Sequence, residues 1–70
     1  MRYLVVVERG PTSFGAYVPD LPGCVAAGNS REEVLALIHQ AIELHLEGIK
    51  EDGQPVPPPS TSSVIVEVAA

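Results

Sequence analysis

Nine carboxylates, two histidines and one cysteine are the groups in this 70-residue sequence that could do chemistry. Hydrolysis by two metal ions needs carboxylates clustered tightly enough to hold the cations about 4 Å apart. Glu8 ends an apolar run, Glu43 lies on the polar side of a helical stretch, and Glu67 sits near the C-terminus. These acids fall on three separate elements and read as solvated surface groups. His45 lies within an apolar helical stripe and His39 on the opposite side, so they do not form a ligand pair. His45 reads as a packed or interface histidine with one hydrogen bond. Cys24 follows a glycine at the start of a strand, with no basic or helix-N-terminal group nearby to activate its thiol, and reads as a small apolar packing residue. A single cysteine makes no intramolecular disulfide, and no His/Cys cluster suggests a metal or another cofactor. The expectation is a protein that acts by binding, not an enzyme.

The elements that position these groups are organised around Tyr17–Ser30, where a strand ends, the chain turns, a short strand follows and a helix begins. Pro19 and Pro22 hold φ near −65° and bias Val18 and Leu21 toward extended backbone. Asp20 lies between the prolines, where its side chain can accept hydrogen bonds from amides of the turn or face a partner. Gly23 supplies either a positive φ or close backbone approach. Before this corner, Arg2–Glu8 (RYLVVVE) reads as a strand apolar on both faces, with Tyr3, Val5 and Val7 on one and Leu4 and Val6 on the other. Such a strand is expected at the centre of a sheet. Residues 9–13 form a hairpin loop, Phe14–Val18 the returning strand, and Cys24–Ala27 a third strand ending at Gly28.

Ser30 and Glu33 form a capping box. Val34, Ile38, Ala41, Ile42, His45 and Ile49 then recur at helical spacing, with Leu35, Leu37 and Leu46 on the shoulders of the stripe. Glu32, Ala36, His39, Gln40, Glu43, Glu47 and Lys50 occupy the other face, and the helix is predicted to stop near Lys50–Glu51 with Gly53 as a left-handed cap. Residues 52–63 (DGQPVPPPSTSS) read as an extended linker, and Ser63–Val68 (SVIVEV) as a closing strand. The predicted fold is α+β, a single domain over residues 1–70 of order β-β-β-α-β. Its sheet is mainly antiparallel, in spatial order 3-2-1-4, with one helix packed on one face. The uncovered face keeps apolar side chains, which marks an interaction surface.

The formal net charge is −5, and the four basic residues Arg2, Arg9, Arg31 and Lys50 are scattered. That excludes the basic stripe of an autonomous nucleic-acid binder and favours a basic protein as partner. The acids Glu43 and Glu47 on the helix, with Asp20, Leu21 and Pro22 at the corner, are the candidate partner-facing residues. Pro19, Gly23, Cys24, Ser30 and Glu33 are the structural ones. No apolar run reaches the roughly 20 residues of a membrane helix and the N-terminus lacks a signal-peptide layout, so a cytoplasmic location with no membrane contact is expected. A domain this small without disulfide or metal commonly gains stability by oligomerising, so a dimer or tetramer is expected.

The run Tyr17-Val18-Pro19-Asp20-Leu21-Pro22-Gly23-Cys24, the Gly28-Asn29-Ser30 helix cap and Ala41-Ile42-Glu43-Leu44-His45-Leu46-Glu47-Gly48 together resemble the HicB antitoxin family over residues 3 to about 58. The resemblance implies a partial ribonuclease-H-like fold. It also implies neutralisation of a small, basic HicA-type toxin, an mRNA interferase whose active site the antitoxin covers. In nucleases of that fold one carboxylate stands in the middle of the first strand, where this sequence has Val or Leu. Many such antitoxins continue into a C-terminal DNA-binding module. Here the sequence stops at Ala70, and no direct nucleic-acid contact is expected. The rival reading is a self-associating structural or regulatory module with no toxin partner.

Overall fold

The computed structural model describes residues 1–70. Three strands, β1 (Val6–Arg9), β2 (Phe14–Tyr17) and β3 (Val25–Gly28), precede one helix, α1 (Arg31–Glu51). The sheet is antiparallel throughout, in the order β1-β2-β3. Its registers pair Val7 with Ala16 and Ala16 with Ala26, which sets these three side chains on one face. On the other face Val6 pairs with Tyr17 and Tyr17 with Val25.

The corner between β2 and β3 is two consecutive turns. The Leu21 amide donates to the Val18 carbonyl at 3.0 Å, and the Cys24 amide donates to the Leu21 carbonyl at 3.0 Å. Each turn has proline at its second position. The second has Gly23 at its third position with φ of +84°, the arrangement of a type II turn. The Val18 amide then closes the loop onto the Cys24 carbonyl at 3.1 Å. The three-residue spacing brings Val18, Leu21 and Cys24 inward together, where all are buried with Ala16, Val34 and Ile38 in one core. Leu21 is 0% exposed.

Helix α1 starts as the sequence predicts. Ser30 Oγ accepts the Glu33 amide hydrogen at 3.1 Å, while Glu33 Oε1 accepts from the Asn29 amide at 3.1 Å. A Cβ at Gly28 would lie 3.1 Å from both the Glu33 carboxylate and the Val34 amide nitrogen. A side chain there would crowd the first helical turn, so glycine suits this close approach of β3 to α1. At the far end the Gly53 amide donates to Lys50 and the Gln54 amide to Ile49, a Schellman cap on Gly53 at φ +69°. Buried helical residues are confined to Val34 and Ile38, while Ala41, Ile42, His45, Leu46 and Ile49 are half-buried. The reason is length: 21 residues of helix span about 31 Å, whereas four-residue strands span about 13 Å, so the helix overhangs the sheet.

Two expectations about the sheet are corrected. Strand β1 begins at Val6 rather than Arg2 and lies at an edge rather than in the centre. Its partner β2 runs out at Tyr17, because Pro19 turns the chain away. Residues 63–68 form no strand, so the predicted order 3-2-1-4 is realised only as far as its first three members. The hydroxyl of Tyr3 holds the Pro57 carbonyl, and Asp20 holds Ser60 and Thr61. Beyond these ties Val64, Ile65, Val66 and Val68 are 83, 97, 70 and 79% exposed.

Because a Cβ on Gly23 would meet nothing within 4 Å, the cost of replacing it comes from backbone conformation alone. Gly23→Val is expected to lower stability by about 2 kcal/mol, roughly 10 °C in Tm for a domain of this size. Gly23→Asn is expected to cost distinctly less, because Asn tolerates a positive φ. Thermal unfolding followed by circular dichroism checks both, and equal losses in the two variants would remove the conformational account.

Candidate functional site

Asp20 occupies the turn between Pro19 and Leu21, which points its carboxylate out of the core toward the returning C-terminal segment. Oδ2 accepts the amides of Ser60 and Thr61, each at 2.9 Å, and Oδ1 accepts their hydroxyls at 3.0 and 2.7 Å. The carboxylate therefore clasps residues 40 positions away instead of the amides of its own turn. Four donors take up the acceptor sites that two carboxylate oxygens provide. They favour the charged form, and the Thr61 hydroxyl first, then the Thr61 and Ser60 amides, lower the pKa from 3.8 to about 2.

Of the other residues proposed to face a partner, Leu21 is a correction. The corner that presents Asp20 turns Leu21 inward, so its side chain anchors the core. Pro22 remains exposed at the tip of the second turn, and Glu43 and Glu47 are exposed on α1. His39 Nδ1 lies 3.1 Å from Glu43 Oε1, one helical turn away, with both side chains largely in solvent. A shallow groove runs along this side of the helix, lined by Gln40, Glu43, Leu44, Leu46, Glu47 and Lys50. Leu44 is 68% exposed there, an apolar contact point among acids that the helical periodicity did not single out. Among the structural residues, Pro19 is exposed at the first turn, and Cys24 is 3% exposed, its thiol pKa raised by burial.

The sheet face away from the helix carries half-buried Val6 beside Tyr17 and Val25, which are 40 and 64% exposed. No group of three His, Cys, Asp or Glu side chains lies close enough to hold a metal ion. Glu8, Glu43 and Glu67 stand on the strand edge, the helix surface and the projecting tail. What the structure sets on its surface is an acidic helix side with an exposed leucine, an apolar sheet face, and a tail clasped by a carboxylate. Ser60 and Thr61 were missed in the sequence because they sit in a segment that reads as linker. Four successive hydroxyl residues after three prolines, Ser60 to Ser63, are the only local mark of their role.

The Asp20 clasp makes the position of the tail depend on pH. The folded-state pKa is depressed, so the stabilising effect is complete above the ordinary value near 4 and is lost as pH falls through about 2. The protection of the Ser60 and Thr61 amides, measured as exchange relative to the open-chain rate at the same pH, is expected to fall away across pH 4 to 2, while helix amides stay protected over the upper part of that window. Asp20→Asn, which removes the charge, should show unclasped rates for these two amides already at pH 6. Protection unchanged in that variant would refute the clasp.

A profile described as HicB-like antitoxin of bacterial toxin–antitoxin systems matches residues 3–69. An uncharacterised 14.9 kDa protein of Haemophilus phage HP1 is 35% identical over 57 residues, covering 81% of this chain and 43% of the phage protein. Antitoxin HicB 2 of Photorhabdus laumondii is 37% identical over 71 residues, covering 100% of this chain and 51% of the antitoxin. The chain thus spans about half the length of these two relatives. A UPF0150 protein of Helicobacter pylori is 45% identical over 47 residues, 67% of this chain and 65% of its own. Among solved structures, a chain of the HicA3 and HicB3 toxin-antitoxin complex superposes with a TM-score of 0.70 at 30% identity, over 84% of this chain and 70% of that one. With its fold, its proline corner and its capped helix all inside the matched span, this chain belongs to the HicB-like antitoxin family of bacterial toxin–antitoxin systems.

Proposed function

We propose that this chain neutralises a small, basic HicA-type mRNA interferase by protein–protein contact, without turnover and within the cytoplasm where such a toxin acts. The observation that carries the reading is the likeness to a chain of a toxin–antitoxin complex, at a TM-score of 0.70 and 30% identity. Charge supports it. The net charge of −5 steers a basic partner by long-range attraction, and Glu43 and Glu47 concentrate acid on one side of α1. Leu44 between them offers the apolar contact that charge alone lacks, since exposed ion pairs by themselves contribute little affinity. Pro22 at the tip of the corner is a second proposed contact. Asp20 is committed to Ser60 and Thr61 and Leu21 to the core, so neither is assigned to the toxin.

The test is inhibition of RNA cleavage by a purified HicA-type toxin titrated with this chain. Cleavage is expected to stop near equimolar ratio, with inhibition weakening as salt rises. Glu43→Lys combined with Glu47→Lys is expected to raise the concentration for half-inhibition at least about tenfold, the effect of roughly 1.4 kcal/mol, with Tm changed by only a few degrees. Full cleavage at a large excess of the chain would overturn the reading. Unaltered inhibition by the double variant would move the contact away from this side of the helix.

A further inference from the structure

Helix α1 has more apolar surface than the domain covers. Val34 and Ile38 are buried against the sheet, and on one shoulder Leu35 and Ile42 face the N-terminal residues Met1, Tyr3 and Val5. On the other shoulder Leu37, Ala41, Leu44 and Gly48 follow at intervals of four, three and four residues, the heptad spacing of a seam between helices. At 3.6 residues per turn they fall within an arc of about 60°. Leu37 is 39% and Leu44 68% exposed, so this seam has no partner inside the domain.

Gly48 indicates what the seam is shaped for. Glycine is a poor helix former, and the helix end is already capped at Gly53. A Cβ at Gly48 would meet nothing within 4 Å, so the domain's own packing gives no reason for a missing side chain there. What glycine does allow is close approach by another backbone. Ala41 is the second small member, so knobs at Leu37 and Leu44 alternate with hollows at Ala41 and Gly48. That relief accepts the ridges of a facing helix, with the two axes about 8 Å apart. The geometry points to this seam as the seat of one helix of the basic toxin, an inference that rests on the neutralising function proposed above. Charge selects the occupant. The solvent-side rim of the seam carries Glu47 and Glu51, one turn apart and both exposed. Acids beside an apolar strip match an amphipathic helix with Lys or Arg flanking its own apolar face. A second copy of this chain brings the same two acids and no lysine or arginine on that shoulder. Gly48 is therefore a specificity-determining residue, which admits the toxin helix by having no side chain.

The measurement is the titration of toxin cleavage repeated with Gly48→Ala and Gly48→Leu, with thermal unfolding of each variant alone. Both replacements are better helix formers and have open space around them, so Tm is expected to hold or to rise by a few degrees. The concentration for half-inhibition is expected to rise about tenfold for Gly48→Ala and at least about a hundredfold for Gly48→Leu, because a side chain there holds the helices apart. A photo-crosslinker on Glu51→Cys, which leaves the buried Cys24 unlabelled, is expected to join a helix of the toxin. Inhibition by Gly48→Leu equal to that of the parent would overturn the inference while the neutralising function stood, as would crosslinking to a toxin strand or loop. Gly48→Leu that changes the mass of the chain alone but not its inhibition would give the seam to a second copy, against the inference. A parent chain that does not inhibit at all would remove the function itself, and the toxin helix with it.

Discussion

The structure depends on a ring of three backbone hydrogen bonds around Leu21. Val18, Leu21 and Cys24 are tied by successive turns and by the bond from the Val18 amide to the Cys24 carbonyl. Their side chains supply half of the six buried hydrophobic residues. The ring sets the register of β2 on β3 and so decides where β3 ends. That end, at Gly28, sits against the first turn of α1, where a Cβ would crowd Glu33 and Val34. The helix therefore meets the sheet with Val34 and Ile38 inward because the corner has already placed Leu21 to receive them. A local turn is thus converted into a tertiary arrangement by the core residue it carries.

The second tie is of a different kind. Asp20 uses an exposed carboxylate to hold a distant segment through four hydrogen bonds to two residues. Solvent competes for each of those bonds, and the clasp lasts only while the acid is ionised. The core needs no such condition. The molecule therefore has a part stabilised by apolar burial and a part held by a charge, joined at adjacent residues of one corner.

The chain belongs to the HicB-like antitoxin family, and its titratable groups are spread over several elements. The acids are dispersed over the strand edge, the helix and the tail, and Cys24 is buried with its thiol pKa raised. Surfaces able to take part in recognition are the acidic side of α1 with exposed Leu44, the apolar face bearing Tyr17 and Val25, and the open edge of β1.

Local chemistry made much of this legible in the sequence alone. Ser30 and Glu33 mark the helix start, Gly53 marks its end, and the proline-glycine corner allowed for the positive φ found at Gly23. Each depends on residues within a few positions of one another. The apolar stripe from Val34 to Ile49 likewise foretold the helix face that packs inward. The motif at residues 17–24 with the capped helix pointed to the family. What only the tertiary structure decided were the relations between distant segments: β1 at an edge, Ser63–Val68 unpaired, Leu21 in the core and Asp20 bound to Ser60 and Thr61. Alternating apolar residues declare that a segment suits a sheet, but not which edge it joins or whether that edge belongs to its own chain. Pairing depends on where the tail is tied, and the tie joins residues 40 positions apart that carry no shared local signal.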